Sequence, residues 1–189
     1  MIDFRIIVIT DWSRADCLER VRAAVACGPR VAVQHRHPGA TDRQLYEQGR
    51  QLREVIGAAP LFVNGRLDLA LALDAHLHLT EGSLTPADVR PHLGARLLSA
   101  SWHPPAPPRT GVDLLLASPV FEPLSKPAER PALGPSGYAA ARARAGEVPV
   151  FALGGMTPER LDALGEVDGV AVIGASDRID GFLARFAVG

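Results

Sequence analysis

Two glycine-bearing stretches in the carboxyl-terminal third carry the clearest chemistry. In Val148-Pro-Val-Phe-Ala-Leu-Gly-Gly-Met-Thr-Pro-Glu-Arg160 a short apolar run stops at Gly154-Gly155, and Thr157-Pro158 then suit the N-cap and first position of a helix. Glycines at such a junction let backbone N–H groups come close to a ligand, and the free N–H groups of a helix start favour an anion. Gly169-Val-Ala-Val-Ile-Gly-Ala-Ser176 repeats the logic and ends in Gly174 and Ser176. A plain strand-to-helix turn uses the same residues without any ligand. Two such turns in succession favour a phosphate.

Other side chains fit an anionic ligand. Arg36, in Gln34-His-Arg-His-Pro38, can grip a phosphate or carboxylate through two parallel hydrogen bonds, although a lone arginine serves equally as a surface charge. Lys126 lies in a long loop, in Leu124-Ser-Lys-Pro127, where it reads as an anion contact or lid residue against the simpler reading of a solvated lysine. His103 differs from the other histidines because it sits just past a strand end, where an imidazole can exchange protons at neutral pH; a histidine merely held among prolines is the alternative. His35, His37, His76, His78 and His92 do not form an expected metal site. His76 and His78 share one strand face, His92 is remote on a helix, and no carboxylates cluster with them.

These residues need elements to hold them. Phe4–Asp11 is a β-branched run suited to a strand buried on both sides, and residues 14–27 show helical spacing ended by Gly28-Pro29. The alternation continues with strands at 30–34, 61–64, 75–79, 95–101, 112–118, 149–153 and 169–176. Helices are expected at 41–56, 66–73, 83–93, 136–146, 157–165 and 177–186. One helix is missing from the rhythm. His103-Pro-Pro-Ala-Pro-Pro-Arg-Thr-Gly111 is too rich in proline for a helix, so a loop is expected between the fifth and sixth strands, and a second long loop from 119 to about 135 follows the sixth. Eight strand signals with seven helices predict a small α/β (β/α)₈ TIM barrel, one domain over residues 1–189; an open doubly wound sheet shares the alternation.

In such a barrel the carboxyl ends of the strands face the active site. Those ends carry Asp11, Gln34 with Arg36, Asn64, Thr80 with Glu81, Ser101 with His103, the 119–126 loop with Lys126, Gly154-Gly155, and Gly174 to Ser176. The opposite ends carry Pro29, Pro60, Gly111 and Pro149. This asymmetry predicts a pocket open on one side.

Composition narrows the partner. With 20 basic against 21 acidic residues the chain offers no basic face for nucleic acid or an anionic membrane, which leaves a small molecule. The 47% hydrophobic content allows a sizeable core and excludes a disordered chain. Cys17 and Cys27 stand too far apart in one helix for a disulfide and read as reduced thiols of a cytoplasmic protein. No signal peptide or membrane-spanning run is expected. Oligomeric state stays open, a homodimer included.

Six segments in order carry a family likeness: Asn64-Gly-Arg-Leu-Asp-Leu-Ala-Leu71, His76-Leu-His-Leu79, Ser118-Pro-Val-Phe-Glu-Pro-Leu-Ser-Lys-Pro127, Pro131-Ala-Leu-Gly134, Phe151-Ala-Leu-Gly-Gly-Met-Thr-Pro158 and Gly169-Val-Ala-Val172. Together they resemble the thiamin phosphate synthase superfamily, which includes the thiazole tautomerases, and the likeness implies the same small barrel. In that superfamily the synthase joins a pyrimidine diphosphate to a thiazole phosphate, releases pyrophosphate and uses magnesium held by acidic residues. Here the Asn-Asp of the synthase pattern becomes Asn64-Gly65, the segment after the fourth strand reads Thr80-Glu81-Gly82-Ser83, and the pyrophosphate motif keeps Arg36 but loses its lysine.

The resemblance therefore implies, as the leading expectation, a metal-independent thiazole tautomerase-like isomerase that needs no cofactor. His103 would be its general acid/base, and the backbone of Gly154, Gly155, Gly174 and Ser176 would hold the phosphate of a phosphorylated thiazole. Gln34, Arg36, Asn64, Ser101 and Lys126 complete that expected binding set. The second expectation is a magnesium-dependent thiamin phosphate synthase with Glu81 as its remaining acid. The third is a diverged, non-catalytic phosphate-ligand binder.

Overall fold

The computed structural model describes residues 2–122, 130–173 and 177–187. Eight parallel strands close on themselves in chain order: β1 (Ile6–Ile9), β2 (Val31–His35), β3 (Leu61–Asn64), β4 (His76–Leu79), β5 (Leu98–Trp102), β6 (Leu114–Ala117), β7 (Val150–Leu153) and β8 (Gly169–Val172). Among the described residues seven helices lie between or after them: α1 (Cys17–Ala26), α2 (Asp42–Ile56), α3 (Leu67–Ala72), α4 (Pro86–Leu93), α5 (Gly134–Ala145), α6 (Pro158–Asp162) and α7 (Ile179–Phe186). The ring shuts where Ile6, Ile7 and Val8 pair with Val170, Ala171 and Val172. The open-sheet alternative is thereby set aside.

Burial on both faces is why β1, β6 and β8 are continuous runs of apolar or small residues, whereas β4 (His76-Leu-His-Leu79) and β5 (Leu98-Ser-Ala-Ser-Trp102) alternate with polar residues. Ile7, Ile9, Ala32, Phe62, Leu114, Leu116, Phe151 and Ala171 pack inside the barrel. Ile6, Val8, Val31, Val33, Leu77 and Val150 face outward against helix residues such as Val21, Leu52, Val89, Tyr138 and Phe182. Phe4 does not extend the first strand as expected. It turns in under the barrel and meets Phe62 and Phe151 edge-on, with centroids 5.7 and 5.8 Å away, closing the amino-terminal end. The fifth strand begins at Leu98, not Ala95, because Arg96 N–H still turns back to the Leu93 carbonyl at 3.0 Å.

The connection from β5 to β6 contains no helix, in keeping with its prolines. It is nonetheless held. Trp102 Nε1 donates to the Ala106 carbonyl at 2.8 Å, and Arg144 of α5 donates to the carbonyls of Pro105 and Ala106 while its guanidinium lies 5.8 Å from the Trp102 ring centre. Among the described residues no helix is long and apolar enough to cross a membrane. Cys17 and Cys27 are both free, and burial raises both thiols above their ordinary pKa.

At the amino-terminal rim two aspartates receive strand N–H groups that the ladder leaves over. Asp113 Oδ2 accepts from Leu98 N–H at 2.7 Å and from Arg90 at 3.0 Å. Asp168 Oδ2 accepts from Val150 N–H at 2.8 Å, and Arg142 grips both carboxylate oxygens at 2.8 and 3.1 Å. Removing a charged acceptor from a half-buried N–H costs about 1.5–3 kcal/mol. Asp168→Ala is therefore expected to lower the unfolding free energy by about that amount, and Asp168→Asn, which keeps an acceptor for Val150, by less. Urea unfolding of the two variants checks the order; equal losses would remove the strand N–H from the account.

Candidate active site

The carboxyl ends of the strands form one mouth, and the floor beneath it is polar. His78 is 3% exposed, with Nδ1 2.9 Å from Ser99 Oγ and Nε2 3.0 Å from Ser101 Oγ. Ser99 Oγ also lies 3.4 Å from the Leu77 carbonyl, to which it donates; it therefore accepts from Nδ1–H, and Ser101 donates to Nε2. That is the pattern of the neutral ring, which its burial favours. Burial first, then the positive charges of Arg109 and Arg36, push its pKa down to about 3. Gln34, 2% exposed near the end of β2, is likewise buried, and its Nε2 has no hydrogen-bond partner among the described residues.

Above β2 and β3 opens a cavity of about 250 Å³ lined in part by Arg36, His37, Asn64, Arg66 and Thr80. Thr10 staples the backbone beneath the arginine. Its hydroxyl donates to the Arg36 carbonyl at 3.0 Å and accepts from Arg36 N–H at 2.9 Å. The guanidinium itself is left for the cavity. Trp12 orients His35 in the cavity wall: its indole N–H donates to His35 Nδ1 at 3.2 Å, which puts the His35 proton on Nε2, bonded to the Leu45 carbonyl at 2.9 Å. His37 stacks on Trp12 with the planes 18° apart, and its Nδ1 lies 3.0 Å from Gln48 Oε1.

On the opposite arc, after β7, Gly154 and Gly155 take φ values of +98° and +58°. Only glycine holds two such turns at low cost, and a Cβ on Gly155 would collide with the Glu122 carbonyl and the Arg160 guanidinium. Arg160 Nη1 donates to the Gly155 carbonyl at 2.6 Å and to the Glu122 carbonyl at 3.2 Å, and its guanidinium lies 5.2 Å from the Phe121 ring centre. A cation thus stands beside the glycine turn.

The third sector joins β4, β5 and β6. His103 Nδ1 donates to the Ser118 carbonyl at 2.8 Å, which leaves Nε2 as the unprotonated nitrogen of the neutral ring. Glu81 is taken up by arginines. Its carboxylate receives Arg130 at 2.7 Å, its carbonyl receives Arg109 Nη2 at 2.9 Å, and its pKa is lowered chiefly by the bond to Arg130, with smaller contributions from His103 and Arg109. Arg109 Nη1 is buried and finds no hydrogen-bond partner among the described residues.

Gln34, Arg36, Asn64, Glu81, Ser101, His103, Gly154 and Gly155 lie at or just past the carboxyl ends of their strands. Lys126, Gly174 and Ser176 lie outside the described residues. Of the histidines set aside as metal ligands, His76 takes a structural place, accepting from Leu97 N–H at 3.1 Å with its ring 4.9 Å from that of Phe62. His78 turns out to be the centre of the polar floor. Arg109 and Arg130 were not visible as site residues, because only the path of their loops brings them to Glu81. Arg109 had one weak signal, its place at the end of the proline run.

The family model described as thiamine monophosphate synthase matches residues 6–176. A thiamine-phosphate synthase of Chloroflexus aurantiacus is 33% identical over 186 residues, covering 93% of this chain and 86% of that protein. One from Syntrophomonas wolfei is 36% identical, covering 93% and 91%. The solved thiamine phosphate pyrophosphorylase of Pyrococcus furiosus superposes with a TM-score of 0.82 at 25% identity, covering 100% of this chain and 98% of that one. These findings overturn the leading expectation of an isomerase. The tautomerase reading rests on groups lost from the synthase pattern, whereas full-length identity to proteins named as synthases speaks for the transferase. With it falls the assignment of His103 as a tautomerase acid/base.

The floor has a pH signature. The unfolded chain protonates position 78 near pH 6.5, whereas the folded chain resists protonation until about pH 3, so stability is lost as the pH falls between these values. Burial also lowers the pKa of His35 and His76, which act in the same direction. Each histidine that stays neutral in the fold adds a loss of about 1.4 kcal/mol per pH unit in that window. Urea unfolding at pH 7 and pH 5 should show a clearly smaller drop for His78→Gln than for the parent chain. Identical drops would mean that His78 is protonated in the fold.

Proposed function

This chain belongs to the thiamine monophosphate synthase family, and from that premise we propose that it is a thiamine-phosphate synthase. In the reaction, the bond between the pyrimidine's methylene carbon and its diphosphate oxygen breaks with the electron pair leaving on the diphosphate. A new bond to that carbon forms from the ring nitrogen of the thiazole phosphate. The carrying observation is that the mouth has two anion-compatible stations on opposite arcs, Arg36 after β2 and the Gly154-Gly155 turn beside Arg160 after β7. A reaction between two phosphorylated substrates needs two such stations with the reacting atoms between them.

The roles follow from position. Arg36 takes the diphosphate, and Asn64 and Gln34 offer amide groups to the pyrimidine side of the cavity. The glycine turn takes the thiazole phosphate. Lys126, Gly174 and Ser176 keep their sequence-based assignment as anion contacts. Ser101 holds the floor through His78. His103 stays in the site as a polar wall residue. We read the enzyme as cytoplasmic, where Cys17 and Cys27 would stay reduced.

Family resemblance implies magnesium for this chemistry, and the donor set here does not fit it. Gly65 follows Asn64, and Gly82 and Ser83 follow Glu81. The Glu81 carboxylate is engaged by Arg130 at 2.7 Å. Among the described residues no three His, Cys, Asp or Glu side chains converge on one point. A magnesium site uses one or two free carboxylates besides substrate phosphates, so no step is routed through the ion.

Incubation with the pyrimidine diphosphate and the thiazole phosphate is expected to yield thiamine phosphate, detected by mass. Arg36→Ala is expected to reduce kcat/KM by about 10²-fold, the scale for removing one preorganised charge contact. Failure to form thiamine phosphate, with or without added Mg²⁺, would reject the reading.

A further inference from the structure

Two arginines line the cavity above β2 and β3, and they are not equivalent. Arg66 is taken up by carboxylates: Nε and Nη2 grip Asp68, and Nη1 reaches Asp42. Arg36 is exposed, forms no ion pair among the described residues, and has its backbone held by Thr10. A single phosphate group already carries about −1.5 to −2 at pH 7, so one free guanidinium leaves a diphosphate short of countercharge.

His37 follows Arg36 in the chain and lines the same cavity. Its ring is fixed on two sides. One face lies against Trp12, with ring centres 6.2 Å apart and planes 18° apart, and Nδ1 meets Gln48 Oε1 of α2 at 3.0 Å. Trp12 is itself anchored, its indole N–H bound to His35 Nδ1 at 3.2 Å. An amide oxygen only accepts, so His37 Nδ1 carries a hydrogen and Nε2 is the nitrogen that gains or loses the second proton. Among the described residues Nε2 has no hydrogen-bond partner, and unlike the Gln34 amide nitrogen it is open to solvent.

The neighbouring groups leave that proton to a ligand. From β2 come Arg36 and His35, and His35 is neutral because its Nδ1 accepts from Trp12 while Nε2 donates to the Leu45 carbonyl. From α2 comes Gln48, which is uncharged, and across the cavity stands Arg66 with Asp42 and Asp68. From the connection after β1 comes Trp12, whose neighbour Asp11 is bound by Ser13. Among the described residues no carboxylate bonds to His37. An imidazole changes charge between pH 5 and 8, so an anion arriving on Arg36 can draw a proton onto it.

We propose that His37 is a second diphosphate ligand beside Arg36 and that it takes up a proton as the diphosphate binds. The proton comes from solvent and settles on Nε2, which then donates to a diphosphate oxygen while Nδ1 keeps its bond to Gln48. The ring of Trp12 supports the charge through its face, and the proton returns to solvent when the diphosphate leaves. The inference rests on the synthase reading for the identity of its ligand, but the binding half can be measured alone.

Calorimetry of the full chain with inorganic pyrophosphate, in two buffers of different ionisation enthalpy at pH 7.5, tests it, in EDTA and again with Mg²⁺. The parent chain is expected to take up more protons than His37→Gln, by up to about one per pyrophosphate bound; protons exchanged by pyrophosphate itself are common to both and cancel. His37→Gln should weaken pyrophosphate about 10- to 100-fold at pH 6, the scale of one charge-assisted bond, and much less at pH 8.5. His37→Lys, charged throughout, should bind at pH 8.5 at least as tightly as the parent and show no extra proton uptake. Thermal melts confirm that the free variants fold, and His37→Lys serves if His37→Gln does not. Equal weakening at both pH values with proton uptake unchanged would make His37 a packing partner of Trp12 and overturn the proposal, as would no binding in either condition. The same preparations are then assayed for thiamine phosphate. Product formation together with pyrophosphate binding that ignores His37 overturns the proposal while sustaining the synthase reading. Proton-coupled binding through His37 with no product under any condition sustains the site and rejects that reading.

Discussion

Everything in this molecule depends on the pairing of β1 with β8. A sheet of parallel strands whose edges stay open needs something to cover them, and here Ile6, Ile7 and Val8 meet Val170, Ala171 and Val172 so that no edge remains. Closure forces a narrow interior, filled at one end by Phe4, Phe62 and Phe151. It also sends all eight strand carboxyl ends to the same rim. Polar groups that would be scattered along an open sheet are thereby gathered, and the amino-terminal rim is left to aspartates that close the ladder.

Much of this is legible in the chain because double-sided burial leaves an unmistakable imprint. Runs such as Ile6–Ile9 and Leu114–Ala117 carry no polar alternation, and Gly111 and Pro119 punctuate the second. The helix-free connection is equally plain, since prolines at 104, 105, 107 and 108 forbid the alternative. Boundaries were harder. Phe4 has the composition of a strand residue, yet it is used as a plug, a choice made by the shape of the barrel floor.

The site was legible by element and illegible by partner. That Gln34, Asn64, Ser101 and Gly154 sit at strand ends follows from period and punctuation. That His78 is bracketed by Ser99 and Ser101 requires the register of β4 on β5, in which His78 lies beside Ser99. The approach of Arg130 and Arg109 to Glu81 spans 49 and 28 residues of sequence, with no local signature at either end. Long-range electrostatics of this kind is written in the fold, not in a motif.

The mistaken expectation of an isomerase has a physical cause. The chain lacks the family's acidic positions, but what a diphosphate requires is positive potential in a fixed place, and a carboxylate matters only by recruiting it. A guanidinium delivers that potential directly. It cannot exchange ligands as a metal ion does, so its geometry has to be correct before substrate arrives.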